Sequence, residues 1–178
     1  MIGNKMKKFC FVDLETTGLN PTDGGILELA LIITDNKLNE LEVYEAIIHQ
    51  SQYTLDGMNN WALESHTKSG LISQVKESKL LTRDVEIKVL EILARHFSGP
   101  TKPIIAGSSV HFDKNWISHH MPNLNKRLHY RIIDVTSFKE AMSIFADFQL
   151  EGRPVAHRAL ADIRDSIYYL RHYMEKIK

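Results

Sequence analysis

Five acids and a histidine are the side chains in this sequence best suited to bind a cation or move a proton. Asp13 and Glu15 stand two apart in the run FCFVDLETTGLNP. Residues i and i+2 share one face of a strand, so strand geometry would point both carboxylates the same way. There they repel each other and resist desolvation. An exposed strand end with both acids in water would accommodate them, and so would a bound cation. Asp113 follows the IIAGSS segment, Asp134 ends RIID, and Asp162 lies within AHRALADIRDS. Each alone reads as a cap or a surface acid. Together, at strand ends and beside a core-facing helix stripe, they suit hard divalent cations such as Mg²⁺ or Mn²⁺, which take oxygen ligands. Two such ions about 3.5–4 Å apart can activate a water and stabilise the leaving oxygen in phosphodiester cleavage.

His157 precedes Asp162 by five residues. Five residues of regular helix turn the direction by about 140°, so the two would not share a helix face. His157 fits the loop or first turn ahead of the helix, leaning over the site while Asp162 projects from the helix. A histidine there could deprotonate an attacking water.

The strands and helices that carry these groups follow from the hydrophobic pattern. Strands are expected at 8–13, 25–34 and 42–49, a meander on short connections, with further short strands at 103–107 and 131–134. A short helix is expected to end at Gly70. Thr82 is expected to cap the next helix, whose apolar positions are Val85, Val89, Leu90, Leu93, Ala94 and Phe97. Pro100 and Pro103 close that helix. Helices are also expected near 113–120, over 136–146, and from about Ala156 to Ile177. The last would bury Leu160, Ile163, Ile167 and Leu170, leaving Asp162 beside the stripe. A mixed α/β sheet of five strands flanked by helices is the economical architecture.

Composition narrows the function. The 178 residues fit one domain spanning 1–178, and 43% apolar with 25% charged residues is an ordinary globular balance. No internal repeat or linker divides the chain. Cys10 is the one cysteine, which excludes an intramolecular disulfide framework and suits a reducing compartment, with the cytoplasm as the expected location. No apolar run is long enough to span a bilayer, so no membrane role is expected. Formal net charge is zero. That favours small ligands or short nucleic acids over long polyanions, which usually meet a basic face.

The blocks DLETTG, HFD around Asp113 and HRALADIRDS resemble those of the DEDD exonucleases, in the subgroup with a histidine five residues before the last aspartate. The resemblance implies an RNase H-like fold and 3′-to-5′ hydrolysis using two divalent metal ions. It assigns Asp13, Glu15, Asp113 and Asp162 to the metals and His157 to the general base, leaving Asp134 outside. The segments HQS at 49–51, W-x4-HT-x-SGL from Trp61, MP at 121, LHYRIIDV at 128–135 and HRALADIRDSI at 157–167 extend the likeness over nearly the whole chain, to the oligoribonuclease family. Those enzymes degrade very short RNA, especially dinucleotides, and are typically homodimers. The resemblance implies that Trp61 and His66 hold the bases and that Leu19 wedges between them. Tyr130 would reach across the dimer interface, and Ser109, Arg131 and Thr136 would form a small cap on the 5′ phosphate. A closed cap would exclude longer RNA. Thr16 stands where the family usually has methionine, and residues 139–156 depart from the family pattern. A proofreading or tRNA-trimming exonuclease, needing an open groove, and an inactive nucleic-acid-binding module are the competing readings.

Overall fold

A computed structural model describes residues 8–153 and 157–177. Five strands form one mixed sheet in the order β3-β2-β1-β4-β5. They are β1 (Phe9–Thr16), β2 (Ile26–Thr34), β3 (Glu40–Ile47), β4 (Ile105–Gly107) and β5 (Ile132–Asp134). The first three are the expected antiparallel meander, and β4 and β5 add in parallel on the other side of β1. β1 is therefore central, with β2 and β4 as its neighbours.

Alternation along β1 decides which side chains face which layer. Cys10, Val12 and Leu14 join a core with Val85, Val89, Ile92 and Leu93 of α4 (Thr82–His96) and Trp116 and Ile117 of α5 (His111–His120). Phe11 faces the other way, with Ala30 and Ile32 of β2 and Ile163, Ile167, Leu170 and Tyr173 of α8 (Ala159–Ile177). Phe138 and Met142 of α7 (Val135–Ala146) pack against this second core. Asp13 and Glu15, in step with Phe11, belong to the α8 side of the sheet. A small third cluster joins Leu27 to α1 (Gln52–Asp56), α2 (Asn60–Lys68) and α3 (Leu71–Glu77). The chain between α5 and β5 forms α6 (Pro122–Arg127).

Several local expectations are corrected. β1 does not stop at 13 but carries Asp13 and Glu15 within it, because its pairing with β2 continues through Thr16. The helix expected to end at Gly70 stops at Lys68, and Gly70 (φ +76°) separates it from α3, a helix the pattern did not announce. Thr82 is the first residue of α4 rather than its cap; the Asp84 carboxylate instead accepts from the Leu81 N–H at 3.1 Å. Ile92, not Ala94, completes the buried stripe of α4. α8 begins at Ala159, and the expected start at Ala156 lies outside the described residues. Leu160 is only partly buried against the α8 core.

Two glycines hold close approaches that any side chain would break. A Cβ at Gly107 would lie 2.8 Å from the Val12 carbonyl oxygen. One at Gly24 would lie 2.2 Å from Thr17 Oγ1 and 2.9 Å from the Trp116 ring. The first lets β4 seat against β1; the second folds the 17–25 loop onto α5.

Candidate active site

The end of β1 and the first turns of α8 bring three carboxylates together. One oxygen from each of Asp13, Glu15 and Asp162 lies within 4.8 Å of the others. Strand alternation supplies the first two, and Asp162 faces them from the first turn of α8. Asp113 enters from the first turn of α5 and is buried. One of its oxygens accepts the Leu14 N–H at 2.9 Å, and it is not one of the three that crowd together. Asp134 stays outside the cluster: it caps α7 by accepting from the Thr136 N–H and also accepts from the Ser109 N–H.

Crowding and burial act on these acids in the same direction. Burial, then the charges of Asp113, Glu15 and Asp162, hold Asp13 well above the usual carboxylate range. Burial, then Asp162 and Glu28, push Glu15 up to about 8. Burial pushes Asp113 up to about 8 against the lowering effect of its Leu14 hydrogen bond. Such a set is costly without a counter-charge. Oxygen donors gathered on one side of a cleft fit a hard divalent cation.

The cleft above them has a volume of about 300 Å³. Its lining includes Asp13, Glu15, Asp162, His157, Trp61 and Leu19. His157 sits just ahead of α8 with a left-handed backbone (φ +50°), and its ring meets Trp61 edge to face at 5.5 Å. Trp61 is 64% exposed and Leu19 80% exposed, large apolar surfaces left in water beside the acids. His66 is different. It also borders the cleft, but its side chain is buried, with Nε2 3.1 Å from the Thr16 carbonyl oxygen and 3.7 Å from Glu15. Burial, the largest influence on it, lowers its pKa and so favours the neutral ring.

The residues matched to a phosphate cap divide into two places. Ser109, in a left-handed conformation (φ +51°), and Thr136 share a hydroxyl contact of 3.2 Å, and the Ser109 N–H also donates to Thr136. Arg131 lies at the opposite end of β5, its guanidinium 5.3 Å from the Tyr130 ring centre. Tyr130 is 76% exposed.

Sequence reasoning passed over Asn59, Phe112, Glu28 and Arg158. Asn59 caps α2 and borders the cleft, as does Phe112. Glu28 is fully buried and grips Arg158. One charged residue in the otherwise apolar run GILELALIIT was the signal for it.

The RNase_T exonuclease family model matches residues 10–170. The oligoribonuclease of Idiomarina loihiensis is 39% identical over 178 residues, covering 97% of this chain and 95% of that protein. The probable oligoribonuclease of Dictyostelium discoideum is 39% identical over 175 residues, covering 97% and 92%. Among solved structures, exonuclease I of Methylocaldum szegediense superposes with a TM-score of 0.75 at 18% identity over 94% of this chain. An E. coli exonuclease I–ssDNA complex does so with a TM-score of 0.70 at 16% identity over 93%. The chain spans about 40% of each of those longer exonuclease chains, and that likeness is one of fold. Family model and full-length relatives agree: the chain belongs to the oligoribonucleases within the RNase_T exonuclease family.

Proposed function

We propose that this chain, acting as a single exonuclease unit, is a 3′-to-5′ exoribonuclease that hydrolyses short oligoribonucleotides, dinucleotides above all, to nucleoside 5′-monophosphates. The observation that carries the reading is the convergence of Asp13, Glu15 and Asp162 within 4.8 Å beneath a cleft bordered by His157 and an exposed tryptophan. Asp13, Glu15, Asp113 and Asp162 would hold two divalent ions, Mg²⁺ or Mn²⁺. When bound, such ions supply positive charge for the phosphodiester and its leaving oxygen and make water easier to deprotonate.

The protein's own groups do the rest. His157 takes the proton from the attacking water. Attack at phosphorus breaks the bond to the 3′ oxygen of the preceding nucleotide, so the phosphate leaves on the 5′ side of the released terminal nucleotide. Trp61 offers a face for stacking, an interaction worth about 1–3 kcal/mol per base. Leu19 separates the two bases, and the buried His66 closes the base pocket from behind while steadying the Thr16 backbone. Ser109 and Thr136, which sit together, contact the 5′ phosphate, and Arg131, at the other end of β5, joins that cap from the Tyr130 side. The exposed Tyr130 reaches the site of a second subunit in a homodimer, taking Arg131 with it towards the interface. A site closed in this way fits a chain with no net charge, since it needs no groove for a long polyanion. The cytoplasm is the matching compartment, given one buried cysteine.

The test uses end-labelled RNAs from two to about ten nucleotides with Mg²⁺ or Mn²⁺, with EDTA and Asp162→Asn as controls. Fast dinucleotide cleavage and steeply slower longer substrates are expected. Equal rates at every length would overturn the closed-site reading, and cleavage that survives EDTA would overturn the metal-dependent one.

A further inference from the structure

Glu28 is an anomaly in β2. Every residue of that strand is buried, and Glu28 is fully so. It stands opposite Glu15 in the ladder, on the α8 side of the sheet, next to a cluster already crowded with acids. Replacing a buried ion pair by apolar residues of similar size is often neutral or stabilising, so packing alone gives no reason for a carboxylate there. Its partners do. Arg158 Nε lies 3.1 and 3.2 Å from the two Glu28 oxygens, and Nη2 lies 2.7 Å from one of them. The Ala159 N–H donates to Glu28 at 3.0 Å. All four hydrogen bonds therefore hold the two residues that follow His157.

His157 needs holding. Its left-handed backbone is uphill for a residue with a side chain, and it sits one step ahead of a guanidinium fixed in a planar fork. The fork and the Ala159 N–H pin the start of α8 to the centre of the sheet. The side chain of His157 then has little freedom except over the cleft, against Trp61. We propose that Glu28 and Arg158 are positioning residues that hold His157 at the angle from which it reaches the attacking water. This rests on the functional reading above, in which His157 is the general base.

A positioning role separates from a structural one by dependence on His157. The paired variant Glu28→Gln/Arg158→Met removes the fork without leaving a lone buried charge, and is made in the wild-type and His157→Ala backgrounds. Arg158→Lys, which keeps the charge and loses the fork, accompanies it in case the paired variant does not fold; thermal melting reports folding. On a 5′-phosphorylated dinucleotide with Mg²⁺, the expected result is a loss of about 30- to 100-fold in kcat with KM within about threefold, in the wild-type background. In the His157→Ala background the same change costs less than about threefold. Arg158→Lys shows the same dependence with a smaller loss. Equal losses in both backgrounds, or a loss confined to KM, would overturn the positioning role while leaving the enzyme's function standing. An inactive wild-type protein, or a fully active His157→Ala, would instead overturn the functional reading.

Discussion

Replacing Glu15 by glutamine should yield a protein that is more stable without metal and no longer catalytic. The unfolded chain releases the Glu15 proton near 4.5, whereas in the folded protein burial and the neighbouring acids move it to about 8. Below 4.5 both states hold the proton and the group has no effect on stability. As pH rises from 4.5 towards 8, the unfolded state loses the proton and the folded state keeps it. Folding is thereby penalised by about 1.4 kcal/mol per pH unit, and at pH 7 the accumulated penalty is about 3 kcal/mol. Glutamine carries no such penalty, though its amide remains buried, so a net gain of about 2–3 kcal/mol at pH 7 is expected. For a domain of this length that is a rise of about 5–10 °C in Tm. The assay is thermal unfolding of both proteins in EDTA at pH 4, 6, 7 and 8, followed by the same series in Mg²⁺. The advantage of Glu15→Gln should vanish at pH 4 and grow with pH in EDTA. In Mg²⁺ the wild type should recover stability by mass action while the variant, short of a ligand, gains less. Equal Tm values at pH 7 in EDTA, or an advantage that does not change with pH, would show that Glu15 is not held protonated by its surroundings.

Trp61→Ala should raise KM for a dinucleotide by about 5- to 100-fold, the loss of one stacked base, with Tm little changed because the ring is largely exposed; steady-state kinetics at two substrate lengths checks this. Tyr130→Ala should lower dinucleotide turnover in a protein that still sediments as a dimer, and unchanged turnover would rule out the cross-subunit contact. Gly24→Ala should cost about 1–3 kcal/mol in urea unfolding, the usual penalty of forcing an atom into a packed site, since the new methyl meets both Thr17 and Trp116.

The parts of this molecule that were legible in its sequence are those governed by period. The three-stranded meander, the stripe of α8 and the shared face of Asp13 and Glu15 all follow from alternation or helical spacing. Membership of the sheet was readable for β4 and β5 as short apolar runs, though their strand order was not. Three short helices, α1, α3 and α6, escaped because five to seven residues carry too few turns to show a stripe. The separation of Arg131 from Ser109 and Thr136 at the two ends of β5 was invisible for a different reason. A short strand places neighbours in sequence at opposite ends of a site, and only the register with β4 says which end is which. Glu28 and Arg158 lie 130 residues apart, and nothing local joins them.

The central place of β1 also divides the site by how readily its parts unfold. Asp13 and Glu15 ride on the stretch of β1 that is laddered to β2 and tied to α5 through the Leu14 N–H and the Asp113 carboxylate, so the amides there should exchange with solvent only when a large part of the sheet opens. Leu19, Asn59 and Trp61 come from the 17–25 loop and α2, and α2 is held by the small cluster around Leu27. Those amides should exchange through smaller, local openings. This wall of the cleft should thus loosen and reclose many times while the acids beneath it keep their spacing.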